Sequence, residues 1–248
     1  MNARPLEGRR ALVTGASGGT GGAIARALAG AGAELVLTYS RHRGDVESVV
    51  RSVCELSSAE PQVIQADLSL PDAGRRLAKR VMDDIGVIDV LVANAGIGRQ
   101  LSWDQVDDHT WDTTFAVNVT STWQLTQTVL PVMVERSFGR VLFISSTAAL
   151  TGGLIGPHYA ASKAALHGLM HSLALQVAKD GVTVNALAPA LIQNTRIVPT
   201  TPQGGTAPAT PIGRPGQPDE VAAMALSMVT NAYLTNKVIV LDGGRHPT

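Results

Sequence analysis

Short runs of consecutive apolar residues alternate along the chain with longer stretches in which apolar positions recur every three or four residues. The runs are RALVTG at 10–15, AELVLTY at 33–39, QVIQAD at 62–67, IDVLVANAG at 88–96, GRVLFISS at 139–146, VTVNALAP at 182–189 and KVIVLDGG at 237–244. A strand with one wet face alternates apolar with polar residues, whereas consecutive apolar residues mark a strand covered on both faces, as in parallel sheets. The helical periodicity predicts helices near 20–30, 44–57, 71–85, 104–136, 157–180 and 218–231. Each parallel return needs a crossover, and helices supply it. The pattern therefore predicts an α/β protein: a doubly wound parallel sheet of about seven strands with helices on both faces, using residues 1–248 as a single domain. The stretch 189–218, dense in Pro, Gly and Thr, breaks the regularity. Loops this long are usually functional or disordered, which makes it a candidate substrate lid.

In an open α/β sheet, ligands bind beyond the carboxyl ends of the strands. The first such exit reads TGASGGTGGAIA, with Gly15, Gly19 and Gly21 ahead of a helix. Glycines there let the backbone approach a pyrophosphate, and the helix start presents free N–H groups and a positive dipole end. Later in the chain, GPHYAASKAALHG sets Tyr159 and Lys163 one helical turn apart on one face. Hydride reduction of a carbonyl leaves negative charge on oxygen, so a site for it must deliver a proton and stabilise that charge. A tyrosine beside a cation suits the task, the cation favouring the phenolate.

The spacing Thr14-Gly15-x-x-x-Gly19-x-Gly21, Asp67, the NAG turn at 94–96, Asn118, Ser146, the Tyr159/Lys163 pair, AP at 188–189 and DGG at 242–244 follow one another in order. In this order they resemble the short-chain dehydrogenase/reductase family over essentially the whole chain, including its 3-oxoacyl thioester reductases. The resemblance implies a Rossmann-like fold and hydride exchange with a nicotinamide dinucleotide. It implies that Tyr159 exchanges the proton, that Lys163 holds the nicotinamide ribose, that Ser146 binds the substrate oxygen, and that Asn118 supports a proton relay. Ser145 is the adjacent alternative to Ser146. By the same resemblance Gly15, Ser17, Gly19, Thr20 and Gly21 cradle the phosphates, Asp67 and Leu68 meet the adenine, Asn94, Ala95 and Gly96 pass the adenosine ribose, and Pro189 and Ile192 lie along the nicotinamide. A homotetramer, or a homodimer, is also implied. The chain departs from the common family text at Gly18, where an arginine is frequent, and at Thr20, Ala93, Ala190 and Asn194.

An NAD site commonly places a carboxylate at the end of the second strand. Here the text is LTYSRHRG, with no carboxylate before Asp45, and Ser40 and Arg41 are suited to a 2′-phosphate. NADP(H) is therefore expected in preference to NAD(H), with an NAD-dependent alcohol dehydrogenase or a non-catalytic dinucleotide-binding regulator as the alternatives. The substrate expected is a small-molecule ketone or secondary alcohol, with Arg99, Leu150, Leu154, Ile155, Leu191 and Ile197 as pocket candidates.

Composition narrows the classes. Twenty basic residues balance twenty acidic ones, so no global field recruits nucleic acid or an anionic membrane. No run of about 18 apolar residues offers a membrane span. One cysteine, Cys54, excludes an internal disulfide. The start MNARPLEGRR carries no apolar leader, so a cytoplasmic location is expected. His167 and His171 lack a third partner for a metal, no metal is expected, and Trp103, Trp111 and Trp123 are expected to pack against the core or a partner.

Overall fold

Each apolar run forms a strand, and in all but the two edge strands the side chains alternate between two covered faces. In the computed structural model, which describes residues 4–57, 59–197 and 210–246, the strands are β1 Arg10–Val13, β2 Glu34–Tyr39, β3 Gln62–Gln65, β4 Val90–Ala93, β5 Gly139–Ile144, β6 Val182–Pro189 and β7 Val238–Leu241. All neighbours pair in parallel, in the order β3-β2-β1-β4-β5-β6-β7. On β1, Ala11 and Val13 enter one core layer and Leu12 the other; on β5, Leu142 and Ile144 face the first layer while Val141 and Phe143 face the second.

The first layer is closed by α1 Gly19–Gly30, α2 Arg43–Cys54 and α8 Pro218–Thr230. The second is closed by α3 Ala73–Asp84, α5 Ser121–Glu135 and α7 Pro157–Val177. The remaining helices are α4 Asp108–Phe115 and the short α6 Ala148–Thr151. The sheet is thus doubly wound, as the periodicity predicts.

Two details differ from the sequence expectation. The single helix predicted over 104–136 is broken: a 3₁₀ turn at Trp103–Gln105 precedes α4, whose start is capped by Asp107 accepting from the Thr110 amide at 2.7 Å, and a π turn at Ala116–Thr120 joins α4 to α5. Several strands end two or three residues before the apolar run does, and the residues just past them, Thr14, Asn94, Ser145 and Asp242, make side-chain hydrogen bonds that shape the strand exits. Of the tryptophans expected to pack on the core or a partner, Trp103 is 82% exposed in the single chain, and Trp111 stacks on Phe115 with ring centroids 4.9 Å apart. Of the candidate lid, residues 198–209 lie outside the described residues.

Phe143 is the bulkiest of the fully buried side chains. Phe143→Ala is expected to cost about 3–5 kcal/mol of unfolding free energy, read from urea denaturation; a loss below 1 kcal/mol would contradict the packing described.

Candidate active site

Strand order reverses between β1 and β4, and the exits of these two strands are tied together. The Thr14 hydroxyl accepts from the amides of Asn94 at 3.1 Å and Ala95 at 3.0 Å, and Asn94 Nδ2 donates to the Thr14 and Gly15 carbonyls at 2.9 and 3.1 Å. The contact leaves no room for side chains. A Cβ on Gly21 would lie 2.5 Å from both Asn94 Nδ2 and the Gly15 carbonyl oxygen, and one on Gly15, whose φ is +66°, 2.9 Å from Ala95 Cα. Beyond the glycines α1 begins at Gly19 without a side-chain cap or a first-turn acid, so its N–H groups and positive end remain for an anion.

These exits open into a cleft of about 1060 Å³. Every residue expected to hold a dinucleotide lines it: Gly15, Ser17, Gly19, Thr20 and Gly21 on the turn, Ser40 and Arg41 after β2, Asp67 and Leu68 after β3, Asn94 to Gly96 after β4, and Pro189 and Ile192 after β6. The Asp67 carboxylate is held low in pKa by the Ser69 hydroxyl at 2.7 Å and the Ser69 amide at 3.0 Å, with Arg41 adding a smaller pull. A narrow, glycine-floored cleft at a helix N-terminus fits a dinucleotide.

The same cleft ends at Ser146, Tyr159 and Lys163. Helix α7 buries the last two, which are 7% and 3% exposed. Lys163 Nζ donates to the Ile144 carbonyl at 2.8 Å and lies 5.7 Å from the centre of the Tyr159 ring. The β4 exit presses on the pair: a Cβ on Gly96 would be 3.1 Å from Lys163 Nζ, and one on Gly98 2.6 Å from the Tyr159 ring. Of the two serines, Ser145 is committed to α7, donating to the Lys163 carbonyl at 3.0 Å and lying 2.8 Å from His167 Nε2. Ser146 Oγ accepts from the Ala148 amide at 3.1 Å.

Burial governs the charges. It pushes the Tyr159 hydroxyl above its ordinary value, with Ser146 pulling the other way, and it lowers the Lys163 ammonium from 10.5 to about 8. The Lys163 ammonium donates to the Ile144 carbonyl and faces the Tyr159 ring.

Asn118 stands behind the cleft wall. Its side chain brackets Ile97, accepting from that amide at 2.8 Å and donating to its carbonyl at 3.0 Å, and it donates to Ser162 at 2.9 Å. Ser162 in turn donates to the Tyr159 carbonyl at 2.8 Å. Asn118 thereby joins the π turn, the β4 exit and the Tyr159 backbone.

The short chain dehydrogenase family model matches residues 9–204. The chain belongs to the short-chain dehydrogenases. It is 36% identical over 243 residues to a nodulation protein G of Rhizobium sp. (strain N33), covering 96% of this chain and 97% of that one. It is 31% identical over 245 residues to a 3-oxoacyl-[acyl-carrier-protein] reductase of Escherichia coli (strain K12), covering 97% and 98%. A crystal structure of a 3-oxoacyl (acyl-carrier-protein) reductase from Agrobacterium tumefaciens C58 with NADP bound superposes with a TM-score of 0.90 at 35% identity, covering 98% and 96%.

As a short-chain dehydrogenase the protein is an oxidoreductase, and the cleft separates the residues expected to form a substrate pocket. Leu154, Ile155, Leu191 and Ile197 line the cleft, whereas Arg99 and Leu150 do not. Arg196, Arg245 and His246 also line it and were not singled out. The last two are placed by Asp242, whose carboxylate accepts from the amides of Gly244, Arg245 and His246 at 3.0, 3.2 and 2.8 Å. The DGG motif was the signal available for them. Among the described residues, no helix is long and apolar enough to cross a membrane.

The folded value for Lys163 lies below that of an unfolded chain, so the cost of its buried ammonium is fully present below about pH 8 and is relieved as pH rises toward 10.5. Lys163→Met is expected to gain about 1–3 kcal/mol of stability at pH 7, with the advantage shrinking between pH 8 and 10.5. Urea unfolding across that range checks it, and a pH-independent difference refutes it.

Proposed function

We propose that the protein interconverts a ketone and a secondary alcohol with NADP(H), acting mainly as a reductase of an apolar or 3-oxoacyl-type ketone. The observation that carries this reading is a buried tyrosine packed against a buried lysine, in a cleft whose other walls suit a dinucleotide. A tyrosine hydroxyl is protonated at neutral pH, the form that ketone reduction requires, and a neighbouring cation stabilises the phenolate left when the proton is given up.

In this reading the dinucleotide supplies the hydride. The Tyr159 hydroxyl delivers its proton to the substrate oxygen, and Ser146 donates a hydrogen bond to the same atom, so charge developing there meets two donors. Lys163 contributes positive charge beneath the ring and, on moving from the Ile144 carbonyl, reaches a ribose hydroxyl. Asn118 acts as a positioning residue, keeping Ile97 and the start of α7 in register, and supports the proton relay to Lys163. The walls formed by Leu154, Ile155, Leu191 and Ile197 favour an apolar substituent on the ketone. Ser40 and Arg41 meet the 2′-phosphate, and Asp67 and Leu68 the adenine. Similarity to a reductase solved with NADP supports the cofactor choice, and similarity to a 3-oxoacyl reductase supports the substrate class. We place the enzyme in the cytoplasm, working as a homotetramer or homodimer.

The test is a panel of 3-oxoacyl thioesters and simple ketones run with NADPH and with NADH. Oxidation of NADPH is expected, and Tyr159→Phe is expected to lower kcat by at least about 100-fold with NADPH binding retained. Full activity of the phenylalanine variant overturns the mechanism; binding of NADPH without turnover across the panel overturns the reaction.

A further inference from the structure

Arg196 crosses the cleft from the β6 exit to the opposite rim. Its segment is seated on the glycine turn: Asn194, at φ +56°, places its carbonyl where a Cβ on Gly19 would come within 2.4 Å, and Ile192 bridges to Gly216. From there the guanidinium donates to the Ser17 carbonyl at 3.1 Å, reaches the Ser17 hydroxyl at 3.4 Å and pairs with the Asp45 carboxylate. Ser17 precedes Gly18, which offers no side chain of its own, and Asp45 lies in the first turn of α2, just past Ser40 and Arg41. The guanidinium therefore sits at the seam between the glycine turn and α2, on the side of the cleft where β2 ends.

We infer that Arg196 reads the 2′-phosphate of the dinucleotide, exchanging Asp45 for that phosphate when the nucleotide binds. The inference rests on the NADP(H) reading above. Its physical basis is the weakness of the resting contact: the side chains of Arg196 and Asp45 are 45% and 58% exposed, and such a pair is screened and worth at most about 1 kcal/mol. A phosphate offers the same fork a second charge and further acceptor oxygens, so the exchange is favourable. Asp45 holds the arginine over the cleft in the meantime. It also places a carboxylate near the phosphate, which opposes binding.

The test measures Kd for NADPH and NADH by nicotinamide fluorescence, and for adenosine 2′,5′-bisphosphate and adenosine 5′-monophosphate by calorimetry. Arg196→Gln is expected to weaken NADPH and the bisphosphate about tenfold, while NADH and the monophosphate change less than about twofold. Arg196→Lys restores part of the loss, and Asp45→Asn tightens NADPH by about threefold. An equal loss for NADPH and NADH assigns the guanidinium to the diphosphate and overturns the inference, as does unchanged NADPH binding in Arg196→Gln. Loss of NADH affinity in Asp45→Asn without a gain for NADPH also overturns it, since Asp45 would then read the ribose itself. Wild-type protein that binds NADH as tightly as NADPH overturns the cofactor reading, and this inference with it; a wild-type preference for NADPH left intact by Arg196→Gln overturns this inference alone.

Discussion

The tie between Thr14 and Asn94 is the constraint on which the rest of the molecule depends. Where a doubly wound sheet reverses its strand order, the two flanking crossovers diverge and a crevice opens by topology alone. The crevice needs a floor, and its backbone donors need partners. One threonine hydroxyl accepts two amides of the opposing exit, and one asparagine amide closes two carbonyls of the glycine turn. The glycines are required by that proximity: Gly21 and Gly15 are packed against the very groups that hold the exits together.

From this floor the chemistry is positioned by short, direct contacts. The β4 exit continues through Gly96 and Gly98 onto Lys163 and Tyr159, and Ile97 between them is gripped by Asn118 from the π turn. A π turn adds a residue to one helical turn and is often found at functional sites; here it brings a side chain from the middle of a helix to a strand exit. The glycine turn and the Tyr159 backbone are therefore linked through the β4 exit by one chain of hydrogen bonds.

Burying a lysine and a tyrosine side by side costs stability. The lowered ammonium and the raised phenol are two results of the same desolvation. Perturbed groups of this kind cluster at functional sites, and these two line the cleft. Elsewhere two apolar layers cover the sheet, interrupted by buried polar groups such as Arg140 and Asn185, whose side chains donate to backbone carbonyls.

Much of this was legible in one dimension. Consecutive apolar residues set both faces of the sheet inward, and the periodic stretches between them could only be crossovers, so sheet, winding and strand exits followed from local pattern. The glycine turn and the Tyr159/Lys163 spacing were legible because backbone clearance and helical periodicity are local properties. What the chain could not show locally, tertiary structure decided. Asn118 meets Ile97 across 21 positions and Arg196 meets Asp45 across 151, and no periodicity connects residues so far apart. The break in the 104–136 helix, the commitment of Ser145 to α7 and the direction of both pKa shifts likewise depend on what surrounds a group in space. Sequence by itself determined which backbone elements form and which chemical groups stand at their ends. Only packing decided which of those groups meet and in what charge state, because contact and desolvation are properties of neighbours in space.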